Sequence, residues 1–262
     1  MDFCSLYSGS SGNSIYVGNE RTKILVDAGL SGKKIQEGLL DIGVNPNEIN
    51  AILITHEHDD HIKAAGILSR RFNIPIYANA DTWSVMESQI GDVKEENIKV
   101  FSTYKPFEIG DITVIPFKIP HDASNPCGYS FIEKNKKISI ATDIGHASRE
   151  VKDNIKDSDL ILLESNHDVE MLKVGPYPYY LKRRVLSDVG HLSNEDCGRT
   201  IVDILNSRIK RIILGHLSKT NNYPELAYRT VLSILESNGI RDGVDIDLDI
   251  AHRDRVGKYY SV

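Results

Sequence analysis

The sequence predicts a layered α/β fold in which residues 1–262 form a single domain. Short apolar runs alternate with amphipathic stretches of helical period, and continuous apolar strands are typical of a sheet that helices cover. No stretch rich in proline, glycine or serine divides the chain, and its length is enough to bury a sizeable core. Residue types that bind metals also follow several of the strands, which is where α/β sheets place their sites.

Strands are predicted where short runs are apolar or alternate between apolar and polar residues. These runs are 14–17, 24–26, 51–55, 74–78, 112–119, 129–132, 137–141, 160–163 and 211–214. Amphipathic helices are predicted at 62–72, 80–90, 194–205 and 224–237, and a basic helix at about 181–186 follows an extended loop at 175–180. Ser193 is a suitable N-cap for the third of these helices, because Glu195 and Asp196 favour a first helical turn.

Composition narrows the class of protein. The formal net charge of −6 excludes a uniformly positive surface, although a local basic cluster such as 182–184 can still contact a nucleic acid. The three cysteines are too few and too widely spaced for a disulfide framework. The N-terminus does not resemble a secretory signal and no segment is apolar enough to span a bilayer, so we expect a cytoplasmic protein without membrane attachment.

The most informative segment is His56-Glu57-His58-Asp59-Asp60-His61, which directly follows an apolar run. Imidazole and carboxylate are ligands of divalent metals, and so many ionisable groups in one place are stable only beside a cation. His56 and His58 lie two apart in an extended segment and project to the same side, whereas Asp60 and His61 lie where the chain turns into a helix. The segment therefore predicts a site for more than one metal ion.

Further ligands must come from distant parts of the chain, and the predicted strand ends supply them. Asp27, His121, Asp143 and His216 each follow an apolar run. Rigid strands direct the residues at their ends into a common crevice. Because a carboxylate offers two oxygens, Asp143 can bridge two ions.

This ordered set resembles the metallo-β-lactamase superfamily, whose motif is His-x-His-x-Asp-His followed by distant His, Asp and His. The resemblance implies the fold of that superfamily, a four-layer αββα sandwich with a two-metal site between its sheets. It also implies the ligands: His56, His58 and His121 for the first ion, Asp60, His61 and His216 for the second, and Asp143 as the bridge. Asp27 would not bind a metal itself but would orient a metal ligand or the loop that carries it.

At two positions this chain differs from subfamilies of the superfamily, and each difference makes one activity less favoured. Class B β-lactamases carry a cysteine where this chain has Asp143, and oxygen-reducing diiron relatives carry a glutamate where this chain has His58. Both activities are therefore disfavoured. The pattern fits the hydrolases with two occupied metal sites, which include phosphodiesterases, lactonases and glyoxalase II relatives.

Further segments resemble the YycJ/WalJ-type branch, which is associated with 5′ exonuclease action on DNA. They are 8–14, 164–168, 190–194, 215–218 and 221–222. Glu164 and His191 are also similar to a Glu and His pair that ribonuclease Z relatives use beside their metals. The resemblance thus implies a metal-dependent phosphodiesterase of the DNA exonuclease kind, with DNA favoured over RNA as substrate and no obligate protein partner.

In the implied mechanism, a hydroxide bridging two divalent ions attacks phosphorus. Asp60 orients this nucleophile, and His191 with Glu164 protonates the leaving oxygen. Zinc, manganese or iron would each suit these ligands. Contacts to the substrate are expected from Ser10, Ser11, Asn13, His167, Lys182 and Arg183.

Two other functions stay open at this point. One is a lactonase or glyoxalase II-type hydrolase of carboxylic esters or thioesters, and the other is a non-enzymatic regulator or scaffold stabilised by metal. The pair Glu164 and His191 favours phosphodiesters, because ester hydrolysis needs less help for the leaving group. A scaffold has no need of an open position on each ion, so the unbroken ligand set disfavours it.

Overall fold

The computed structural model describes residues 1–262, and its strands form two sheets of seven strands each. In chain order the strands are β1 (Asp2–Tyr7), β2 (Ser14–Gly18), β3 (Lys23–Val26), β4 (Ala51–Leu53), β5 (Ile76–Asn79), β6 (Ile98–Phe101), β7 (Phe107–Ile109), β8 (Ile112–Lys118), β9 (Cys127–Glu133), β10 (Lys136–Ala141), β11 (Leu160–Glu164), β12 (Arg211–Gly215), β13 (Asp247–Ile250) and β14 (Tyr259–Ser261). The helices are α1 (Gly32–Asp41), α2 (Asp59–Ile62), α3 (Ala65–Phe72), α4 (Ala80–Ile90), α5 (Arg149–Ile155), α6 (Val169–Val174), α7 (Tyr179–Val185), α8 (Asn194–Ile204) and α9 (Pro224–Ser237).

Each sheet joins an antiparallel part to a parallel part. The first has the strand order β14-β1-β2-β3-β4-β5-β6, and the second has β13-β12-β11-β10-β9-β8-β7. Strands β3 to β6 are parallel to one another, and so are strands β10 to β13. Since parallel strands end at the same edge, the residues that follow them are brought close together.

Three apolar cores lie between four layers. The central core joins the two sheets, and one outer core on each side joins a sheet to its helices. Helices α1, α3 and α4 cover the first sheet, and α5, α8 and α9 cover the second, through residues such as Leu39, Leu68, Met86, Ile155, Ile201 and Val231. The predicted four-layer αββα sandwich is therefore confirmed.

Strand β11 shows how a continuous apolar run serves two cores. Leu160 and Leu162 pack in the central core, whereas Ile161 and Leu163 pack against the helices. Successive side chains of a strand point to opposite faces, so a strand buried on both faces must be apolar at every position. Burying each of these side chains stabilises the fold by about 1.5–3 kcal/mol.

The helix predicted at 62–72 begins too early, because α2 ends at Ile62 and α3 begins only at Ala65. Ala64 N–H donates to the carbonyl of Ala28 at 2.8 Å, and the carbonyl of Asp60 accepts from Asn13 N–H at 2.9 Å. Both groups would otherwise bond to each other within one helix. Contacts with the loop after β1 and with the loop after β3 thus end α2 early and fix the segment that carries Asp60.

The other predicted elements are present with small shifts at their ends. The loop predicted at 175–180 ends sooner, since α7 already begins at Tyr179. Ser193 caps α8 as predicted, because its hydroxyl accepts from Asp196 N–H at 3.0 Å. The elements outside the predicted set are β1, β6, β7, β13, β14, α1, α5 and α6. The structure contains no helix with the length and apolar character needed to span a bilayer.

Candidate active site

The candidate site lies where the strand ends of the two sheets meet. Asp27 follows β3, Asp143 follows β10 and His216 follows β12. All three have left-handed backbone conformations, with φ of 61°, 59° and 54°. Non-glycine residues rarely adopt this conformation, and where they do the surrounding structure holds them in place, often at functional sites. The strand ends therefore turn sharply to direct these side chains into one crevice.

Two triads of potential ligands lie side by side in this crevice. The ligand atoms of His56, His58 and His121 are within 4.8 Å of one another, and so are those of Asp60, His61 and His216. In the first triad, His56 and His58 precede α2 and His121 lies in the loop after β8. In the second, Asp60 and His61 belong to α2 and His216 follows β12. The structure thus brings together the residues of both triads that the sequence resemblance implies.

Three histidines are held by the same arrangement, in which Nδ1–H is anchored and Nε2 faces Asp143. His61 Nδ1 donates to Asp27 Oδ2 at 2.8 Å, His121 Nδ1 to the Gly190 carbonyl at 3.1 Å, and His216 Nδ1 to Asn13 Oδ1 at 3.2 Å. Such anchoring fixes the tautomer and leaves the Nε2 lone pair free to bind a metal. This arrangement is typical of metal ligands.

His56 is held by a relay through Thr55. The Thr55 hydroxyl lies 2.9 Å from Asp27 Oδ2 and 3.0 Å from His56 Nδ1. Because a hydroxyl has one proton, which it donates to the carboxylate, it accepts from His56 Nδ1–H. His56 Nε2 then carries a lone pair 3.0 Å from His58 Nδ1, close enough for both nitrogens to bind one ion. Asp27 therefore supports ligands of both triads.

Asp143 lies between the two triads. Its Oδ1 is 3.2 Å from His216 Nε2 and 3.9 Å from His121 Nε2, whereas its Oδ2 is 3.4 Å from His61 Nε2. Burial by itself raises the pKa of this carboxyl, but His216 and His61 more than offset that effect and hold the pKa well below its ordinary value. Asp143 Oδ2 is also buried without a hydrogen-bond partner.

These observations test whether the donor set fits a metal. A buried carboxylate oxygen without a partner is costly unless a cation neutralises it. Around Asp143 the structure supplies imidazole nitrogens with fixed tautomers and a second carboxylate, which is the chemistry that divalent ions such as zinc bind. The residues therefore fit divalent metal ions.

Glu164 and His191 form a hydrogen-bonded pair at the edge of the triads. His191 Nδ1 lies 2.7 Å from Glu164 Oε1, and Glu164 Oε2 accepts from Ile144 N–H at 2.6 Å. Burial lowers the pKa of His191, but the Glu164 carboxylate outweighs this effect and raises the pKa to about 9. Since both oxygens of Glu164 are engaged, this pair suits proton transfer better than metal binding.

A cleft of about 610 Å³ opens over the triads, a volume typical of small-molecule sites. Besides the ligands and His191, its walls include Ser10, Arg184, and Val85 and Gln89 of α4. Arg184 pairs with Asp122 through Nε and, at 3.1 Å, through Nη2. The cleft therefore combines a metal-binding floor with the Arg184 guanidinium, whose Nη1 takes no part in the pairing with Asp122 and can face an anionic substrate.

The structure does not bring all of the predicted substrate contacts to this cleft. Ser10 lines it, whereas Ser11, Lys182 and Arg183 do not, and Lys182 Nζ donates to the carbonyl of Lys173 at 2.7 Å. Arg184 of the same basic cluster lines the cleft instead. The rotation of α7 about its axis decides which of the three basic side chains faces the cleft. Three successive basic residues in the sequence do not show this rotation.

Two other predicted contacts are buried. Asn13 is 1% exposed, and its Oδ1 accepts from Gly9 N–H at 3.0 Å as well as from His216, so it holds the site together. His167 is also 1% exposed and does not line the cleft, and burial lowers its pKa to about 4. Ser8 was not predicted as a contact, but its hydroxyl accepts from His216 N–H at 2.8 Å.

Gly29 provides a test of how the loop after β3 positions Asp60. A Cβ at Gly29 would collide with the backbone of Asp60. We therefore expect Gly29→Ala to displace Asp60 and His61 and to weaken divalent-metal binding about tenfold or more, as changes behind metal ligands do. Competition with a chromophoric chelator measures this affinity.

Gly32→Ala is the matched control, because its Cβ would meet only ordinary contacts, the closest at 3.4 Å from Ile67 Cγ2. Urea unfolding of both variants separates a loss of ligand geometry from a loss of folded protein. Unchanged metal affinity in folded Gly29→Ala would contradict the role of this close contact.

Comparison with known proteins agrees with this geometry. A family model described as a beta-lactamase superfamily domain matches residues 22–217. Exodeoxyribonuclease YycJ of Bacillus anthracis is 44% identical over 243 residues, covering 93% of this chain and 92% of the relative. Exodeoxyribonuclease WalJ of Streptococcus pneumoniae is 45% identical over 242 residues, covering 92% and 90%.

Solved structures show the same fold. The zinc-bound PqqB structure from Methylobacterium extorquens superposes with a TM-score of 0.73 over 100% of both chains, at 18% identity. The family model and the two relatives each match most of the chain, and the region that the family model matches includes every member of both triads. The chain therefore belongs to the metallo-β-lactamase superfamily, in the branch that contains YycJ and WalJ.

Proposed function

We propose that this protein is a metal-dependent exodeoxyribonuclease that hydrolyses phosphodiester bonds of DNA. The observation that carries the proposal is the Glu164–His191 pair, which places a proton donor beside two triads of metal ligands. The two relatives at 44% and 45% identity, both named exodeoxyribonucleases, support the same substrate.

Two divalent ions would occupy the site. His56, His58 and His121 would hold one, Asp60, His61 and His216 would hold the other, and Asp143 would contact both. When bound, such ions stabilise the negative charge on a phosphate and make water acidic enough to attack at neutral pH. Zinc, manganese and iron each suit this mixture of imidazole and carboxylate.

The chain's own residues position the substrate and move the proton. Arg184 and Ser10 lie on the wall of the cleft, where a guanidinium and a hydroxyl can bind phosphate oxygens. Asp60 can accept a hydrogen bond from the attacking water. His191, held through Nδ1 by Glu164, presents Nε2 to the leaving oxygen. Water oxygen bonds to phosphorus and loses a proton to the solvent by way of Asp60, while the bond from phosphorus to the sugar oxygen breaks and that oxygen takes the proton of His191 Nε2. His191 then regains a proton from the solvent.

The same pair favours a phosphodiester over a thioester. A sugar oxygen leaves as a strongly basic alkoxide unless an acid protonates it, whereas a thiolate leaves readily without a proton. A site built for thioesters therefore gains little from a carboxylate-backed histidine at its edge. The Arg184 guanidinium on the wall of the cleft also suits a phosphate better than a neutral ester.

The test compares substrates after removal and return of metal. We expect the chelated protein to be inactive, and protein reloaded with manganese or zinc to degrade end-labelled linear DNA while leaving closed circular DNA intact. An RNA strand of the same sequence should be cut more slowly. Turnover of a thioester without turnover of DNA would overturn the proposal, and equal cutting of circular DNA would exclude an exonuclease.

A further inference from the structure

A second, smaller cavity opens off the catalytic cleft. It has a volume of about 120 Å³ and shares Ser10, Arg184 and His191 with the cleft. Its lining includes the side chains of Tyr177, Leu181 and Val185, which we call the apolar wall, and those of Asn166 and Ser218, which we call the polar wall. We call this cavity the side pocket.

The apolar wall of the side pocket is fixed relative to His191. Leu181 and Val185 lie four residues apart on α7 and therefore share one face of that helix. His191 N–H donates to the carbonyl of Val185 at 3.0 Å. Gly190 packs so closely on the end of α7 that a Cβ there would collide with the carbonyls of Arg184 and Val185. The end of α7 and the His191 loop thus form one unit.

The polar wall is fixed relative to the metal ligands. Asn166 Nδ2 donates to the carbonyl of His216 at 2.9 Å, and Ser218 N–H donates to the carbonyl of Asn166 at 2.8 Å. Asn166 and Ser218 are only 3% and 4% exposed, so they are well placed to hold their geometry. Both walls are therefore prearranged beside the candidate ligands.

The shape and lining of the side pocket suit one nucleobase. About 120 Å³ is well below the ~300–1,000 Å³ of most small-molecule pockets, which leaves room for a single ring system. Apolar side chains on one wall can cover the face of a base, and amide and hydroxyl groups on the other can bond to its edge. Apart from His191, the charged groups in the lining are Arg184 and Asp122, which pair with each other, so the two together do not require a charged occupant.

His191 determines which nucleotide this would be. It borders both cavities, and in the proposed function it protonates the leaving sugar oxygen. When the strand is attacked at its 5′ end, this oxygen is the 3′ oxygen of the terminal nucleoside, so that nucleoside must lie on the same side of the phosphate as His191. We propose that the side pocket binds the base of the terminal, leaving nucleotide, so that the strand is shortened by one nucleotide at each cut. This inference rests on the proposed exonuclease function.

The test joins a change in the protein to a change in the substrate. An oligonucleotide whose 5′-terminal residue is abasic lacks the group that would occupy the side pocket. We expect wild-type protein to cleave it with kcat/KM about tenfold lower than the intact strand, since contacts to one base are worth about that much. Leu181→Trp fills the pocket, so it should cleave the intact strand about tenfold more slowly and should no longer distinguish the two substrates.

Tyr180→Trp is the matched control, because Tyr180 lies next to Leu181 on α7 but is 74% exposed. It should retain the wild-type preference for an intact end. Binding can also be measured without catalysis, by titrating metal-free protein with thymidine 5′-monophosphate and recording NMR spectra. Leu181→Trp should weaken this binding, and Tyr180→Trp should not.

Product length tests the inference without any variant, in case Leu181→Trp does not fold. Wild-type protein should release mononucleotides, and dinucleotides as the first product would overturn the inference. Equal cleavage of abasic and intact ends by wild-type protein would also overturn it. If no DNA is cleaved at all by metal-loaded protein, the proposed function fails instead, so the two failures are distinguishable.

Discussion

Replacement of Asp143 by asparagine should lower the hydrolysis of linear DNA by about 10³-fold or more. The carboxylate lies between the two triads and supplies the negative charge that both ions would share. Losing several kcal/mol of charge stabilisation corresponds to a rate loss of that order. Asparagine has nearly the same shape and tolerates the left-handed backbone at this position, so the change is mainly one of charge.

Metal content provides the second measurement for Asp143→Asn. Elemental analysis after dialysis should show less metal per chain than in the wild type. Asp203→Asn is the matched control, because Asp203 pairs only with Lys152 at the surface, where ion pairs are worth little. The two-ion account fails if Asp143→Asn retains full metal content and cleaves DNA within tenfold of the wild type.

Replacement of His191 by alanine should separate the leaving-group role from metal binding. We expect the hydrolysis of DNA to fall by about 10²–10⁴-fold, the usual contribution of a positioned acid. Bis(p-nitrophenyl) phosphate should be hydrolysed almost as well as by the wild type, because p-nitrophenolate leaves without a proton. The rate of DNA hydrolysis by Glu164→Gln should lie between the rates of the wild type and of His191→Ala. Glutamine retains a hydrogen bond to His191 Nδ1 but lacks the negative charge.

The control for His191→Ala is His252→Ala. The His252 ring contacts Arg255 and belongs neither to the two triads nor to the Glu164–His191 pair. Both variants should keep the wild-type metal content. An equal loss of activity on both substrates, or a loss of metal from His191→Ala, would show that His191 acts as a ligand rather than as the acid.

Much of the fold could be predicted because the strands that build the central core are short apolar runs. In β11, however, residues 160–163 are all apolar, so the run alone does not show which side chains face the first sheet. The break between α2 and α3 could not be predicted either. It depends on hydrogen bonds that Ala64 and Asp60 make to loops far away in the chain.

In the site, the ligand types were predictable because they are concentrated in one segment and at strand ends. The sequence does not show the roles of Thr55 and Asn13, since a threonine after a strand and an asparagine in a glycine-serine loop occur in many structural settings. Their roles come from contacts with Asp27, His56 and His216. Asn13 was expected to contact substrate, whereas the structure places it behind the ligands.

The sequence by itself determined which chemistry this protein carries. Local spacing places His56 and His58 on one side of an extended segment, and the residues after apolar runs supply the remaining ligands. Tertiary structure decided how these groups are oriented and what surrounds them. Asn13 and His216 are 203 residues apart, and Arg184 reaches the cleft only through the phase of α7. Local sequence fixes local geometry, but such contacts arise only when both sheets and their helices pack together.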